Sequence, residues 1–302
     1  MFLSNMKKIS IGISAFNEEK NIANLMFSLF DQKLTVGKII EVMVISYGST
    51  DSTVDVLRGL KVKRLKIIDE KQRLGKNFRI NQMLKRFTGD ILILVDGDVL
   101  LEDVNVIDNM AKKFTHNGSV GLVAGNAQPL EGGTIAARAF SNFVKSLNLM
   151  KSKIKQGNNV YSVRGPLLGL SRGFAEKLFI PKNVPDDRFC YFECVRLGFP
   201  SAYEENAKVW FKSAQNIHEQ ISQGIRYKRD RENLNEVVDA GLLNKEYYIP
   251  FYLKIYGLFL QIWKDPLAYF VMKYIQVRVI ISREENMQDS WRLIATSKDL
   301  FI

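Results

Sequence analysis

The sequence predicts an α/β fold with a mostly parallel central sheet flanked by helices, and three observations support this prediction. Across roughly the first 125 residues, short apolar runs rich in β-branched residues alternate with longer segments whose apolar residues recur at helical spacing. Such alternation is typical of βαβ units and therefore of parallel strands. Polar loops follow three of the predicted strands, at the edge where such sheets bind ligands. The 302 residues are ample for one large or two modest domains.

The elements of this first region follow in order along the chain. Strands are predicted at residues 9–15 (ISIGISA), 39–45, 65–68 and 91–95 (ILILV). Helices are predicted in NEEKNIANLMFSLFDQ, at 50–60, where TDST supplies a capping cluster, and at 77–87. The loops FNEE, SYGSTD and DGD come after the first, second and fourth strands, so we expect them to meet at one edge of the sheet.

The rest of the chain changes character twice. Between about residues 120 and 215, the short apolar runs VGLVAG, VYSV, LLGLS and AKVWF predict a mixed α/β continuation of the same domain. From Tyr247 onward, aromatic and aliphatic residues are dense, with Lys or Arg every few positions. This segment predicts two amphipathic helices broken at Pro266, too interrupted by charge to span a bilayer.

Composition and charge narrow the classes of partner. A net charge of +11 and an isoelectric point near 9.5 imply an anionic partner: nucleic acid, an anionic membrane surface or a phosphorylated substrate. Cys190 and Cys194 cannot form a disulfide framework and lack two further zinc ligands, so we expect two core thiols in a reducing compartment. The opening segment MFLSNMKKIS has too short an apolar run for a signal peptide, which predicts a cytoplasmic protein.

The segment ILILVDGDVL ends a buried strand with two carboxylates, Asp96 and Asp98. Like charges at the edge of a core repel each other unless a cation compensates them. In extended chain the two side chains point to the same side and could share Mg²⁺ or Mn²⁺, which take oxygen ligands. Gly97 between them would leave room for a nucleotide sugar or ribose. A solvated Asp-Gly turn is the alternative.

Five motifs together resemble the family 2 glycosyltransferases of the GT-A fold, enzymes that transfer a sugar from a nucleotide-diphosphate donor with inversion of configuration. The motifs are ISIGISAFNEEKNIANLMFSL, GSTDST, GKNFRINQMLKRFTGDILILVDGD, DDRFCYFECVRLGF and QGIRY. They follow the family's order and spacing over about residues 8–230. The resemblance implies a catalytic domain at 1–235, with a nucleotide-sugar half at about 1–125 and an acceptor half at about 126–235. Residues 236–302 would be a helical extension.

The resemblance also assigns roles to individual residues. Asp187 becomes the candidate general base and Asp186 its neighbour, which holds the acceptor or tunes the pKa of the base. The alternative for both is a role in capping the following helix. Donor-binding roles fall on Ala15, Phe16, Asn17, Glu18, Ser46, Tyr47, Gly48, Asp51, Lys76, Asp96, Gly97 and Asp98. Ser46 and Tyr47 stand where the family usually has aspartates, so recognition of uracil by a carboxylate is not available there.

The motif QGIRY places three further residues at the diphosphate or the acceptor sugar. Gln223, Arg226 and Tyr227 would close over it, with Arg226 offering a planar donor fork and Tyr227 an aromatic face. His218 is a candidate third metal ligand beside Asp98 and Asp96, and an exposed helix residue is the alternative.

The sequence therefore predicts a glycosyltransferase that depends on Mn²⁺ or Mg²⁺ and inverts configuration. The acceptor would be a sugar, a glycolipid or a polyprenyl phosphate. The basic, aromatic C-terminal helices would contact an anionic membrane from the cytosolic side, or pack on the catalytic domain or a second subunit. An inactive carbohydrate-binding relative and a polyprenyl-phosphate hexose synthase are the alternatives. Nucleotidyltransferases and dinucleotide-dependent oxidoreductases need glycine-rich phosphate loops that SAFNEE lacks, and no nucleic-acid motif accompanies the positive charge.

Overall fold

The computed structural model describes residues 6–116, 119–282 and 300, and one sheet forms the centre of this described part. Residues 1–5, from the segment predicted not to be a signal peptide, lie outside these ranges, as do 283–299 and 301–302 of the predicted extension. The strands are β1 (Lys7–Ala15), β2 (Gly37–Tyr47), β3 (Leu65–Glu70), β4 (Ile91–Asp96), β5 (Val99–Leu101), β6 (Leu122–Pro129), β7 (Leu167–Ser171) and β8 (Ser201–Phe211). The helices are α1 (Ile22–Phe30), α2 (Thr53–Gly59), α3 (Lys76–Arg86), α4 (Val106–His116), α5 (Ile135–Ser152), α6 (Arg172–Ala175), α7 (Asp186–Arg196), α8 (Ile217–Val237), α9 (Ala240–Glu246), α10 (Phe251–Lys264) and α11 (Pro266–Ile281).

The sheet runs in the order β3-β2-β1-β4-β7-β6-β8-β5. Strands β3, β2, β1 and β4 are parallel, as are β6 and β8, whereas β7 is antiparallel to β4 and β6, and β5 is antiparallel to β8. The predicted α/β fold and its four N-terminal strands are therefore confirmed. The expected division of the catalytic domain at about residue 125 falls inside β6, and residues 160–163 (VYSV) form a turn with both valines buried.

Strands β1 and β4 lie at the centre of the sheet and are covered on both faces. Ile9, Ile11 and Ile13 are fully buried on the face that α1 covers. On the other face, a Cβ added to Gly12 would lie 2.8 Å from Met83 Sδ of α3, so the glycine permits close approach of that helix. Burial on both faces explains why these strands read as continuous apolar runs.

The C-terminal helices α10 and α11 pack against α5 of the catalytic region. Asn142 Nδ2 donates to the carbonyl of Gln261 at 2.9 Å, and Ser146 Oγ donates to the carbonyl of Gly257 at 2.9 Å. Asp265, between the helices, accepts from the backbone of α11 and pairs with Arg138 Nη2 at 2.5 Å. Two helices broken at Pro266 are thus confirmed, and they pack on the domain along one face. In the part of the chain described, no helix combines the length and apolarity needed to cross a membrane.

Cys190 and Cys194 are both buried on α7, and their thiols are free. Burial raises the pKa of Cys194 to about 12, so this thiol is uncharged at neutral pH. The prediction of two core thiols is confirmed.

Candidate active site

The carboxyl ends of β1, β2 and β4 meet at one edge of the sheet. The register pairs Ala15 with Ser46 and Ser14 with Asp96, which brings the loops after these three strands together. This is the edge at which the sequence predicted a ligand site.

At this edge the ammonium group of Lys76 joins two carboxylates that are distant in sequence. Lys76 Nζ lies 2.8 Å from Asp96 Oδ1 and 3.1 Å from Asp186 Oδ2. Lys76 opens α3 and Asp186 opens α7, so each side chain projects from the first turn of a helix. A Cβ added to Gly165 would lie 3.3 Å from Lys76 Nζ, so a glycine allows the backbone to pass beside the cluster.

The charges of this cluster perturb one another. Burial alone would lower the pKa of Lys76, but the attraction of Asp186 and Asp96 outweighs it and holds that pKa well above its usual value. The pKa of Asp186 is raised, first by burial and then by the charges of Asp187 and Asp96, with Lys76 opposing. The three side chains are 16%, 25% and 17% exposed for Lys76, Asp96 and Asp186, so the cluster is largely shielded from water.

Asp187 lies beside this cluster in the first turn of α7. Its Oδ2 accepts from the backbone N–H of Gly165 at 3.1 Å, and its Oδ1 accepts from the N–H of Arg188 at 2.6 Å. The N-cap position of α7 belongs to Pro185, and no side chain caps the helix there. Neither Asp186 nor Asp187 therefore occupies the N-cap position, and both lie in the first turn, where the positive end of the helix dipole favours carboxylates.

The second aspartate of the DGD segment lies in a turn. Gly97 and Asp98 form a turn between β4 and β5, so the expectation that Asp96 and Asp98 flank an extended residue is wrong. At this turn the chain passes close to another loop: a Cβ on Gly97 would lie 3.1 Å from Cγ of the buried Glu18. Gly97 thus makes room for Glu18.

The donor atoms at this edge fit a divalent cation that arrives with its phosphates. Mg²⁺ and Mn²⁺ are commonly held by one or two carboxylates, with substrate phosphates and water completing the shell. Asp96 and Asp98 offer carboxylate oxygens of this kind, and one oxygen of Asp96 is bonded to Lys76. Among the described residues no three His, Cys, Asp or Glu side chains converge as a self-sufficient metal site, and His218 is exposed on the first turn of α8.

Several predicted donor-binding residues fasten the first loop to the second. Asn17, in the left-handed region at φ 53°, donates its N–H to Ser49 Oγ at 3.1 Å, and its Oδ1 accepts from the N–H of Thr50 at 2.9 Å. The N–H of Glu18 donates to Thr53 Oγ1 at 2.7 Å. Asp51 Oδ2 accepts from the N–H of Glu19 at 3.1 Å. These bonds fix the shape of the edge before any ligand is bound.

An aromatic stack lies at the same edge. The rings of Phe16 and Tyr47 are stacked with centroids 5.3 Å apart, and the guanidinium carbon of Arg73 lies 4.1 Å from the Phe16 ring centre. Ser46 is fully buried, and its Oγ donates to Ser49 Oγ at 3.0 Å. Gly48 turns the chain at φ 73°, where a side chain would be strained.

Helix α8 carries the QGIRY residues and one further residue, Asp230, that the sequence analysis missed. Gln223 Oε1 is buried without a hydrogen-bond donor, and the guanidinium of Arg226 lies 5.4 Å from the Tyr227 ring centre. Asp230 lies one turn beyond Arg226. Its pKa is raised to about 6 by burial, with Arg226 opposing and the charges of Asp187 and Asp186 adding to the rise. The sequence did contain a signal for Asp230, because its i,i+4 spacing from Arg226 puts both residues on the same helix face.

Comparison with known proteins agrees with this arrangement. The family model described as "Glycosyl transferase family 2" matches residues 10–179, more than half of the chain, and the protein belongs to that family. The chain is 29% identical over 160 residues to a 4,4'-diaponeurosporenoate glycosyltransferase of Staphylococcus aureus (strain bovine RF122 / ET3-1). The matched segment covers 52% of this chain and 40% of that protein. The chain thus matches well under two thirds of the relative's length.

Two solved structures share the fold. A mannosyltransferase from Pyrobaculum calidifontis in complex with GDP-Man and Mn²⁺ matches with a TM-score of 0.58 at 17% identity, over 90% of this chain and 75% of that one. Glucosyl-3-phosphoglycerate synthase from Mycobacterium tuberculosis in complex with Mn²⁺ and UDP-Glc matches with a TM-score of 0.55 at 20% identity, over 78% and 81%. The chain therefore has the GT-A fold.

Proposed function

We propose that the protein is a metal-dependent, inverting glycosyltransferase that uses a nucleotide-diphosphate sugar. The observation that carries the proposal is the meeting of Asp96, Asp186 and Lys76, with Asp187 alongside, at the ligand-binding edge of a family 2 fold. A surface turn would leave such carboxylates in water. Here they are largely shielded and held in fixed geometry, as a site that binds phosphates and moves a proton requires.

In this proposal Asp187 is the general base. Its carboxylate takes the proton of the acceptor hydroxyl while the acceptor oxygen bonds to the anomeric carbon and the bond from that carbon to the diphosphate oxygen breaks. Attack from the face opposite the leaving group inverts the configuration. The N–H groups of Gly165 and Arg188 orient the Asp187 carboxylate, and Lys76 holds Asp186 beside it.

The leaving diphosphate carries negative charge that the site must offset. A bound Mn²⁺ or Mg²⁺, held by Asp98 and Asp96, would supply Lewis-acid stabilisation of those oxygens. The structural neighbours crystallised with Mn²⁺ and nucleotide sugars support this choice of cofactor and donor. Lys76 and Arg226 offer additional positive charge from the protein, and Gln223 offers an amide. His218 stays a predicted third ligand.

The stack of Phe16 and Tyr47 is the proposed platform for the nucleotide base. Flat aromatic faces accept any base by stacking, so the platform fixes position more than identity. Ser46 is already bonded to Ser49 and fully buried. Backbone groups of the loop after β2 would therefore select the nucleotide base.

We also propose that the acceptor is lipid-linked and that α10 and α11 rest on an anionic membrane surface. Away from α5, these helices expose large apolar side chains, among them Phe251 (74%), Trp263 (79%) and Phe270 (66%). Their basic residues Lys254, Lys264, Lys273 and Arg278 are exposed, and neither helix contains an acidic residue. Aromatic and basic side chains on one exposed surface suit the interface of an anionic bilayer. A relative named for a carotenoid substrate supports a lipid acceptor.

The donor test is a thermal-shift panel of UDP, GDP, CDP and dTDP and their sugars, with and without Mn²⁺ or Mg²⁺. We expect one nucleotide to raise the melting temperature only with metal, and Asp98→Ala to abolish that rise. Asp55→Ala, at an exposed position on α2, is the matched control. Absence of stabilisation by every nucleotide would favour the inactive carbohydrate-binding relative. Turnover of the selected sugar, with NMR of the product anomer, then tests inversion.

The membrane test is co-sedimentation with vesicles of phosphatidylglycerol in phosphatidylcholine, against phosphatidylcholine alone. We expect binding to the anionic vesicles that falls as salt rises, and a strong loss in Phe270→Ser. Phe179→Ser is the matched control, because Phe179 is 65% exposed but lies outside the C-terminal helices. Equal binding by both variants would refute the assignment of this surface.

A further inference from the structure

Three cationic side chains converge beside the candidate base, and the mechanism above uses none of them. Arg164 directly precedes Gly165, whose N–H binds the Asp187 carboxylate. Arg188 directly follows Asp187 in α7. Lys151, in the last turn of α5, lies near enough for both guanidinium groups to repel its ammonium group. We name Lys151, Arg164 and Arg188 the basic pocket.

The basic pocket carries three cations, and the carboxylate of Asp187 offsets them only in part. Lys151 is 1% exposed, and its Nζ makes no hydrogen bond, resting 4.4 Å from the centre of the Tyr203 ring. The Nη1 group of Arg188 is buried without an acceptor, and Arg164 Nη1 reaches the carbonyl of Ala127 only at 3.4 Å. In the ranges that the structure describes, none of the three cations forms an ion pair with a carboxylate.

Such an arrangement is costly for the free protein. A buried cation without a partner loses its hydration and gains nothing in return, and three like charges add repulsion. Burial first, and then the repulsion of Arg164 and Arg188, lowers the pKa of Lys151 to about 7. Burial and then Arg188 lower the pKa of Arg164 to about 10. A bound anion would remove this cost.

We propose that Lys151, Arg164 and Arg188 bind an anionic oxygen group, a phosphate or a carboxylate, of the acceptor and so position the acceptor at Asp187. The inference rests on the proposed function, because it takes Asp187 as the group that meets the acceptor. Guanidinium forks match the paired oxygens of phosphate and carboxylate, and an ammonium adds a point charge. The donor diphosphate belongs at the Asp96–Asp98 end, where carboxylates would recruit a metal, whereas the basic pocket flanks the base. The ring of Tyr203, whose centre lies 4.4 Å from Lys151 Nζ, gives the pocket one aromatic face.

The first test uses inorganic sulfate on the whole protein, with Lys151→Met and Lys153→Met compared to wild type. Lys153 is exposed two residues away and serves as the control. In anion-free buffer we expect Lys151→Met to melt higher than wild type, because the buried charge is gone. Saturating sulfate should raise the melting temperature of wild type and Lys153→Met by roughly 3 °C or more and leave Lys151→Met unchanged.

Two results would overturn the proposal: no response of wild type to sulfate, or an equal response in Lys151→Met. If Lys151→Met does not fold, Arg164→Gln must lose the response instead. Competition between sulfate and the metal-bound nucleotide diphosphate for one site would also overturn it, because the pocket would then belong to the donor. Sulfate binding needs no donor, so failure of the nucleotide panel and failure of this test are separate results.

A second set of ligands separates the sources of the anionic group. Glycerol 3-phosphate and acetate represent free phosphate ester and carboxylate. Vesicles with phosphatidic acid, against phosphatidylglycerol at equal charge, represent a lipid phosphate monoester. Protection by glycerol 3-phosphate or acetate that depends on Lys151 assigns a soluble acceptor group of that chemistry. Dependence on Lys151 only with phosphatidic acid assigns a lipid-borne phosphate. If the response to glycerol 3-phosphate, to acetate and to phosphatidic acid is the same with and without Lys151, the proposal is refuted.

Discussion

The two halves of the candidate site differ in whether their charged side chains are paired. At the Lys76 cluster, one cation lies between Asp96 and Asp186 at 2.8 and 3.1 Å, so each charged group there has a partner of opposite charge, and we call this cluster balanced in that sense. In the basic pocket, Lys151, Arg164 and Arg188 lie together with no carboxylate bonded to them in the described chain. Both regions are shielded from water, and both flank Asp187.

The difference separates what the fold needs from what a ligand supplies. A balanced cluster is in place without any ligand, and it holds the ends of β4, α3 and α7 at fixed positions. An unbalanced one destabilises the free protein, because the buried ammonium group of Lys151 has lost its water without gaining a hydrogen-bond partner and two guanidinium groups repel it. The presence of the unbalanced region is explained if a bound anion supplies the missing negative charge. The balanced region is thus expected to matter for stability and chemistry, and the unbalanced region for recognition.

The largest effect is expected at the residue between the two regions. Asp187→Asn keeps the shape of the side chain but removes its ability to accept a proton, so kcat should fall by about 10²–10⁴-fold. The melting temperature should fall only modestly, since the amide oxygen can still accept from one of the two N–H groups, of Gly165 and Arg188, that the carboxylate binds. Turnover of the donor identified in the nucleotide panel measures kcat. A variant that retains at least a tenth of wild-type kcat would exclude Asp187 as the base and direct attention to Asp230.

The second prediction removes the cation that pairs with Asp96 and Asp186. Lys76→Met leaves Asp96 and Asp186 facing each other without a cation, which should lower the free energy of unfolding by about 3 kcal/mol. Urea denaturation at pH 7 measures it. The double variant Lys76→Met/Asp186→Asn removes one of the stranded charges and should regain part of that loss, as interacting residues do. If the two changes are additive, the cluster does not stabilise the fold by charge balance.

The sequence predicted the parts of this site that depend on local pattern. The apolar runs of β1, β2 and β4 and the polar loops after them follow from side-chain periodicity, and strand order then brings the loops together. The family resemblance identified Asp186, which pairs with Lys76 in the structure, and Asp187, which accepts from the N–H of Gly165. Where the sequence argument assumed extended chain at Gly97, the structure has a turn, with Gly97 close to the side chain of Glu18.

The basic pocket could not be predicted in this way. Lys151 comes from α5, Arg164 from the turn before β7 and Arg188 from α7, and no spacing rule links them. They meet because β7 enters the sheet antiparallel beside β4 and places Gly165 against Asp187. In the sequence each is an ordinary basic residue among 43 lysines and arginines, so only the tertiary fold distinguishes them.

The smallest predicted effect, when it is expressed per pH unit, comes from the titration of Lys151. Lys151 binds a proton in the unfolded chain up to its ordinary pKa of 10.5, but in the folded protein only up to about 7, where burial, Arg164 and Arg188 disfavour the charge. Between pH 7 and 10.5 the unfolded state therefore holds more protons, so this residue makes stability rise with pH, by at most about 1.4 kcal/mol per unit. Below pH 7 the contribution is flat.

The difference in unfolding free energy between Lys151→Met and wild type isolates this contribution, because all other groups titrate in both proteins. We expect the variant to be the more stable at pH 6 and its advantage to shrink steadily from pH 7 to pH 9. Sulfate, which does not titrate in this range, should remove the advantage at pH 6 by binding the charged lysine of the wild type. An advantage that is constant with pH would mean that Lys151 finds a counter-charge in solution, and the contrast between the balanced and the unbalanced region would disappear.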